Sequence, residues 1–330
     1  MDERQFPLFG PPAEEKRPGR TERARTSERL EREHAEAAEI AARIPSSVRF
    51  GTSSWSFPGW EGLVYSRRYS PSALARDGLT EYARHPLLTT VGIDRGFYAP
   101  IPREDLRRYA EQLPDGFLCC TKAPESVTGF LRSAPGGKRA GSSPNPAYLD
   151  ARVFEEEMLA PFRDAFASHS GPFLLQFPPA PRGTGPSPVE FAERLDRFLE
   201  EVPREFFYAV ELRDSSLLTD AYRRVLAARG AAHVYNAATA MPAPGEQAAR
   251  IPPESASFAV VRLLLRPGTQ YDDRRQEFEP FDRIVDPNPE MRRDVVSIVR
   301  AAKERPVFVL VNNKAEGCSP ATIRALAEML

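Results

Sequence analysis

The sequence predicts one eight-stranded α/β barrel of the TIM type, and three observations predict it. From about residue 48 to the C-terminus, eight short apolar runs alternate with longer amphipathic stretches. Strand–helix alternation with buried strands implies a parallel sheet, and eight units is the number that closes it. Seven of the eight runs also end in a polar or charged residue, the place where such barrels carry their chemistry. A doubly wound open sheet is the competing topology.

In chain order, residues 11–29 are rich in Pro, Arg and Glu and poor in large apolar side chains, so a disordered tail is expected there. Leu30, Ala37, Ala41 and Ile44 recur at near-helical spacing before Pro45, which predicts one amphipathic helix lying against the barrel. Residues 1–44 thus form a tail plus helix, and 45–330 the barrel. The strand runs are 48–54, 89–95, 117–122, 173–178, 207–213, 232–236, 258–264 and 307–313. Helical periodicity covers 72–84, 103–113, 151–169, 188–202, 220–229, 291–305 and 320–330, as in Phe191, Leu195, Phe198 and Leu199. Residues 237–253 show little periodicity. The long loop 133–146 (SAPGGKRAGSSPNP) has the length of a lid or a disordered connection.

Composition excludes some classes of function. A formal charge of −1 and a pI near 6.5 give no global basic footprint for nucleic acid. With 41% hydrophobic residues, a mean hydropathy of −0.45 and no 18-residue apolar run, no membrane helix is expected. The first 20 residues lack the apolar segment of a signal peptide, and Cys119, Cys120 and Cys318 form neither a CxxC nor a disulfide framework. A cytoplasmic protein fits these features.

Side chains two apart on a strand share a face. In Val210-Glu211-Leu212-Arg213 the apolar pair should face the helices, which sends Glu211 and Arg213 into the lumen. The same parity brings in Gln176 and Arg262, while Asp94, Lys122, Asn236, Asn312 and Asn313 close strands two, three, six and eight; for Asn312 and Asn313 the alternative to binding a ligand is capping the turn into the last helix. Glu211, Lys122 and Asp94 are the catalytic candidates; an ion pair that merely plugs the barrel is the alternative for Glu211 and Arg213. Trp55, Trp60, Phe97 and Tyr98 sit in the loops after strands one and two, where aromatics wall a pocket or seal the barrel top. None of His34, His85, His169 and His233 marks a His-rich metal site; a carboxylate-bound Mg²⁺ stays open, and no other cofactor is expected. There is no GxGxxG after a strand and no GxxxxGK[ST].

The segments GTSSWSFPGW, DRGFY, CCTKAPESVT, LLQFPP, VELRD, VVRL and NNKAEGCSP occur in an order that resembles the YecE-like family (domain of unknown function 72) over about residues 48–330. The resemblance implies a TIM-type barrel without a settled activity. It maps shared residues onto Trp55, Tyr98, Lys122, Gln176, Glu211, Arg213, Arg262 and Asn313. The chain departs from the family pattern at Gly92 and Asp94, at Gly129, near Leu217 and Leu218, and at the end of strand seven, where leucine replaces a histidine.

Three functional readings follow. The first is an enzyme (hydrolase, isomerase or lyase) that acts on an anionic or sugar-like small molecule by acid–base chemistry. Lys122, Arg213 and Arg262 would hold negative charge, and Glu211 or Asp94 would move protons. The second starts from Gln5-Phe6-Pro7-Leu8-Phe9, which is similar to the Q-x-x-L-F peptide by which bacterial DNA-repair proteins grip the sliding clamp. Leu8 and Phe9 would anchor in an apolar pocket and Gln5 would add directional hydrogen bonds, making the barrel a clamp-tethered DNA-metabolism factor. The third is a barrel that binds a ligand without turning it over.

Overall fold

A computed structural model describes residues 20–132, 143–180, 184–265, 269 and 271–330. Eight parallel strands run β1 (Val48–Thr52), β2 (Thr90–Ile93), β3 (Leu118–Lys122), β4 (Ser170–Phe177), β5 (Tyr208–Leu212), β6 (Ala232–Ala237), β7 (Ala259–Leu263) and β8 (Val307–Val311). Each pairs with its sequence neighbours, and β1 pairs with β8 from Val48↔Val307 to Thr52↔Val311, which closes the barrel. That pairing removes the open-sheet alternative.

Strand parity divides the core in two. Cys120, Leu174, Ala209, Val234, Val260, Phe308 and Leu310 fill the lumen. The alternate residues, such as Val210, Leu212, Val261 and Val309, pack outward under the helices. Phe207 and Phe258 meet edge to face, their ring centroids 5.3 Å apart, next to this inner cluster. Apolar side chains therefore occupy the lower layers of the lumen. Closure is tight between β1 and β2: a Cβ on Gly51 would stand 2.0 Å from the Thr90 carbonyl oxygen.

Several helices differ from their expected form, each for a local reason. The N-terminal helix spans Arg20–Ala41, so residues 20–29 are helical rather than part of a disordered tail. Ala37 and Ile40 are buried, Arg324 bridges to Glu33 and Glu36 at 3.0 and 2.6 Å, and Arg and Glu carry strong helix propensity upstream of that anchor. The stretch 72–84 breaks at Gly78 into Pro71–Asp77 and Leu79–Tyr82. Within the run from Ala151, residues Glu155–Leu159 form a π turn. Pro161 has no N–H to continue the i→i−4 ladder there. A helix at Pro244–Arg250 had no periodic signature because a polar side chain anchors it: buried Gln247 donates to Asn236 O and Pro242 O, both at 2.7 Å. A further helix occupies Tyr271–Phe278. Most of the loop 133–146 lies outside the described residues.

Candidate functional site

The upper lumen continues the strand parity with polar side chains. Two residues above Cys120, Leu174, Ala209, Val234 and Val260 stand Lys122, Gln176, Glu211, Asn236 and Arg262, all buried. Glu211 is their centre and is fully enclosed. Its Oε1 accepts from Arg213 Nε at 2.6 Å, and its Oε2 accepts from Arg262 Nη1 at 2.5 Å. Arg262 Nη2 reaches on to both oxygens of Asp94, at 3.1 and 2.9 Å, while Arg213 Nη2 donates to Gln176 Oε1 at 2.9 Å. One connected ionic chain thus crosses the lumen from the end of β2 through β7 and β5 to β4.

Charge and burial set the protonation states. Burial opposes the Glu211 charge, but the guanidiniums of Arg213 and Arg262 outweigh it and hold the carboxyl at about 2. Burial likewise disfavours the Arg262 charge, and the carboxylates of Asp94 and Glu211 reverse this and raise its pKa. Lys122 differs. Burial pulls its ammonium down to about 8, with Asp94 only partly restoring it and Arg262 and Arg213 pushing further down. Its Nζ lies 3.5 Å from the Phe97 ring centroid, a cation–π contact, and no carboxylate among the described residues forms an ion pair with it.

Three buried polar atoms here have no hydrogen-bond partner among the described residues: Asn236 Oδ1, Arg262 Nε and Ser53 Oγ. Asn236 uses only its Nδ2, which donates to Leu212 O at 3.0 Å. Unmet buried polar groups cost roughly 1–3 kcal/mol each, so a bound molecule or water would relieve them.

The remaining candidates are placed differently. Asn312 and Asn313 act as turn and helix caps: Asn312 Oδ1 accepts from Lys314 N at 3.0 Å, and Asn313 Oδ1 accepts from Ser319 N and Oγ, both at 2.8 Å. Trp55 is buried, donates its Nε1 to Leu74 O at 2.7 Å and packs edge to face on Tyr109, so it seals the barrel top rather than offering a free face. Trp60 is fully buried, against Phe57 and Tyr65. Tyr98 is exposed at the rim, edge to face with Phe97. His233 faces outward, between Tyr222 and Gln247. Both oxygens of Asp94 and of Glu211 accept hydrogen bonds from arginines. Ser53 was missed by sequence reading, although parity from Gly51 would have found it. Gln5, Leu8 and Phe9 lie outside the described residues, as do Lys138 and Arg139 of the long loop.

Fold and site together define a TIM-type α/β barrel whose C-terminal mouth is crossed by an arginine–carboxylate network. The chain belongs to the DUF72 family, described as a protein of unknown function, whose model matches residues 49–330. Among solved structures it is similar to a DUF72 family protein from Thermotoga maritima, at 20% identity and a TM-score of 0.56 over 86% of this chain and 96% of that one. A DUF72 family protein from Enterococcus faecalis gives 16% identity and a TM-score of 0.54, with the same coverage. At these identities the likeness shows the fold. No curated protein matches the chain. No helix among the described residues is long and apolar enough to cross a membrane.

Proposed function

We propose that the barrel mouth binds a small molecule carrying a phosphate or carboxylate, or a sugar-like equivalent, and acts on it as an enzyme. The observation that carries this reading is a charge imbalance in an enclosed network. Lys122, Arg213 and Arg262 bring three positive charges against the two of Asp94 and Glu211, and three of these five side chains, Lys122, Glu211 and Arg262, are buried. Uncompensated charge at low dielectric is costly, and an anionic ligand would cancel it. Arg213 is the natural contact, since its side chain keeps 23% exposure and a guanidinium meets an oxyanion in two-pronged fashion.

Glu211 enters this reading as a positioning residue. Both its oxygens are held by guanidiniums, which makes it a poor base and a good strut for Arg213 and Arg262. Proton transfer falls instead to Asp94, 31% exposed, and to Lys122. The test is a thermal-shift titration of the full chain with inorganic phosphate and sugar phosphates, alongside Arg213→Ala. A ligand at about 100 times its dissociation constant should stabilise the wild type by roughly 2.7 kcal/mol. The variant should lose that response. Failure of any anion to shift the wild type, or an undiminished shift in Arg213→Ala, would overturn the proposal.

A further inference from the structure

We propose that Lys122 is a covalent nucleophile, and that the substrate of this site is a carbonyl compound, an anionic ketone or aldehyde that condenses with the Lys122 amine. This rests on the anion site proposed above and adds the reacting group.

The geometry distinguishes Lys122 from an ordinary anion ligand. It stands at the C-terminal end of β3, in the same lumen layer as Glu211 and Arg262, with its ammonium over the Phe97 ring rather than against a carboxylate. The two carboxylates that could have pinned it are taken: Glu211 by Arg213 and Arg262, Asp94 by Arg262. A lysine that is desolvated and crowded by guanidiniums gives up its proton readily, the standard route to an amine nucleophile. With its pKa at about 8, roughly a tenth of the side chains carry a neutral amine at pH 7.

Residue choice points the same way. The chain contains 40 arginines and only five lysines, at 16, 122, 138, 303 and 314. Arginine serves nearly everywhere that a fixed positive charge is used, including both other cations of this network. A guanidinium cannot be deprotonated at ordinary pH, so only lysine supplies an amine at this position.

The step balances without oxidant or reductant. The Nζ lone pair adds to the carbonyl carbon, one amine proton moves to the carbonyl oxygen, and the resulting carbinolamine loses water to give the C=N bond. Protonation of the imine nitrogen restores the positive charge that the ammonium had supplied, so the network keeps its balance while the substrate's own anionic group meets Arg213. Asp94, held on one side by Arg262 and partly open on the other, is the neighbouring carboxylate able to pass protons during dehydration.

Reductive trapping tests this. Full-length protein is incubated with pyruvate or dihydroxyacetone phosphate and sodium cyanoborohydride between pH 6 and 9, then mapped by peptide mass spectrometry. The expected product is one adduct per chain on Lys122, heavier by the ketone less one oxygen. Labelling should rise with a midpoint near 8, and at pH 8 the share of neutral amine should exceed that of an ordinary lysine by about 100-fold. Lys122→Arg, with Lys122→Met as a second variant should the first misfold, abolishes the adduct. Adduct spread over Lys303 and Lys314, or none from either probe, overturns the proposal. The phosphate titration separates the two readings: a phosphate shift without adduct sinks the imine alone, and no shift sinks the anion site.

Discussion

Glu211→Gln replaces one buried oxygen with an amide nitrogen, keeps the volume and removes a full charge from between two guanidiniums. Its cost can be worked from the structure. Depression of the carboxyl from 4.5 to about 2 at a fully enclosed site represents roughly 3 kcal/mol of folded-state stabilisation, at about 1.4 kcal/mol per pH unit. The independent expectation for breaking a buried ion pair by removing one partner is about 3–5 kcal/mol. The sign is fixed by linkage: a depressed carboxyl stabilises above pH 4.5, and that contribution disappears as pH falls from 4.5 through 2. Urea denaturation of wild type and variant at pH 7 should therefore differ by about 3 kcal/mol, or roughly 4–5 °C in melting temperature for a domain of this size. The gap should narrow steadily below pH 4.5. Adding Arg262→Met to Glu211→Gln should cost less than the two single losses combined, because the stranded charge leaves with its partner. A single-variant loss under about 1 kcal/mol at pH 7 would show that the network is open to water and would refute the reasoning.

Two further outcomes follow from other buried groups. His233 is held neutral, its pKa pushed down to about 4 by burial, with Nδ1 accepting from Tyr222 Oη at 2.9 Å and Nε2 donating to Gln247 Oε1 at 3.1 Å. A depressed histidine stabilises above pH 6.5 and loses that contribution as pH falls toward 4, about 3 kcal/mol in all; His233→Gln should flatten the unfolding free energy across that interval, and an unchanged slope there would contradict the assignment. Gly51→Ala drives a methyl to 2.0 Å from the Thr90 carbonyl oxygen, so β1 and β2 must part; the expectation is a loss above roughly 3 kcal/mol or insoluble protein, and a variant with near wild-type circular dichroism and melting temperature would show that the seam can yield.

Why the sequence revealed some of this and hid the rest comes down to how far backbone parity extends. Within the strands it is strict: Lys122, Gln176, Glu211 and Arg262 all face the lumen, two residues above the apolar layer that also obeys it. One residue past the strands it still holds, for Asp94 and Arg213, and further out it fails. Asn313 lies in the 3-10 turn Asn313–Ala315 and swings back to cap the last helix, and Trp55 turns into the barrel-top core to meet Leu74 and Tyr109. The helix at Pro244–Arg250 was invisible to hydrophobic periodicity because Gln247 holds it through hydrogen bonds. Pairing across the lumen was also out of reach, since Asp94 and Arg262 are 168 residues apart and meet only once β1 and β8 have closed. That dependence joins fold to function. Arg262 ties the end of β2 to β5 across the open side of the barrel, so the groups proposed to meet a ligand are the ones that brace the mouth. A ligand that neutralises the surplus positive charge would then stiffen the whole upper barrel, and a substitution that loosens the barrel there would weaken binding without touching the ligand.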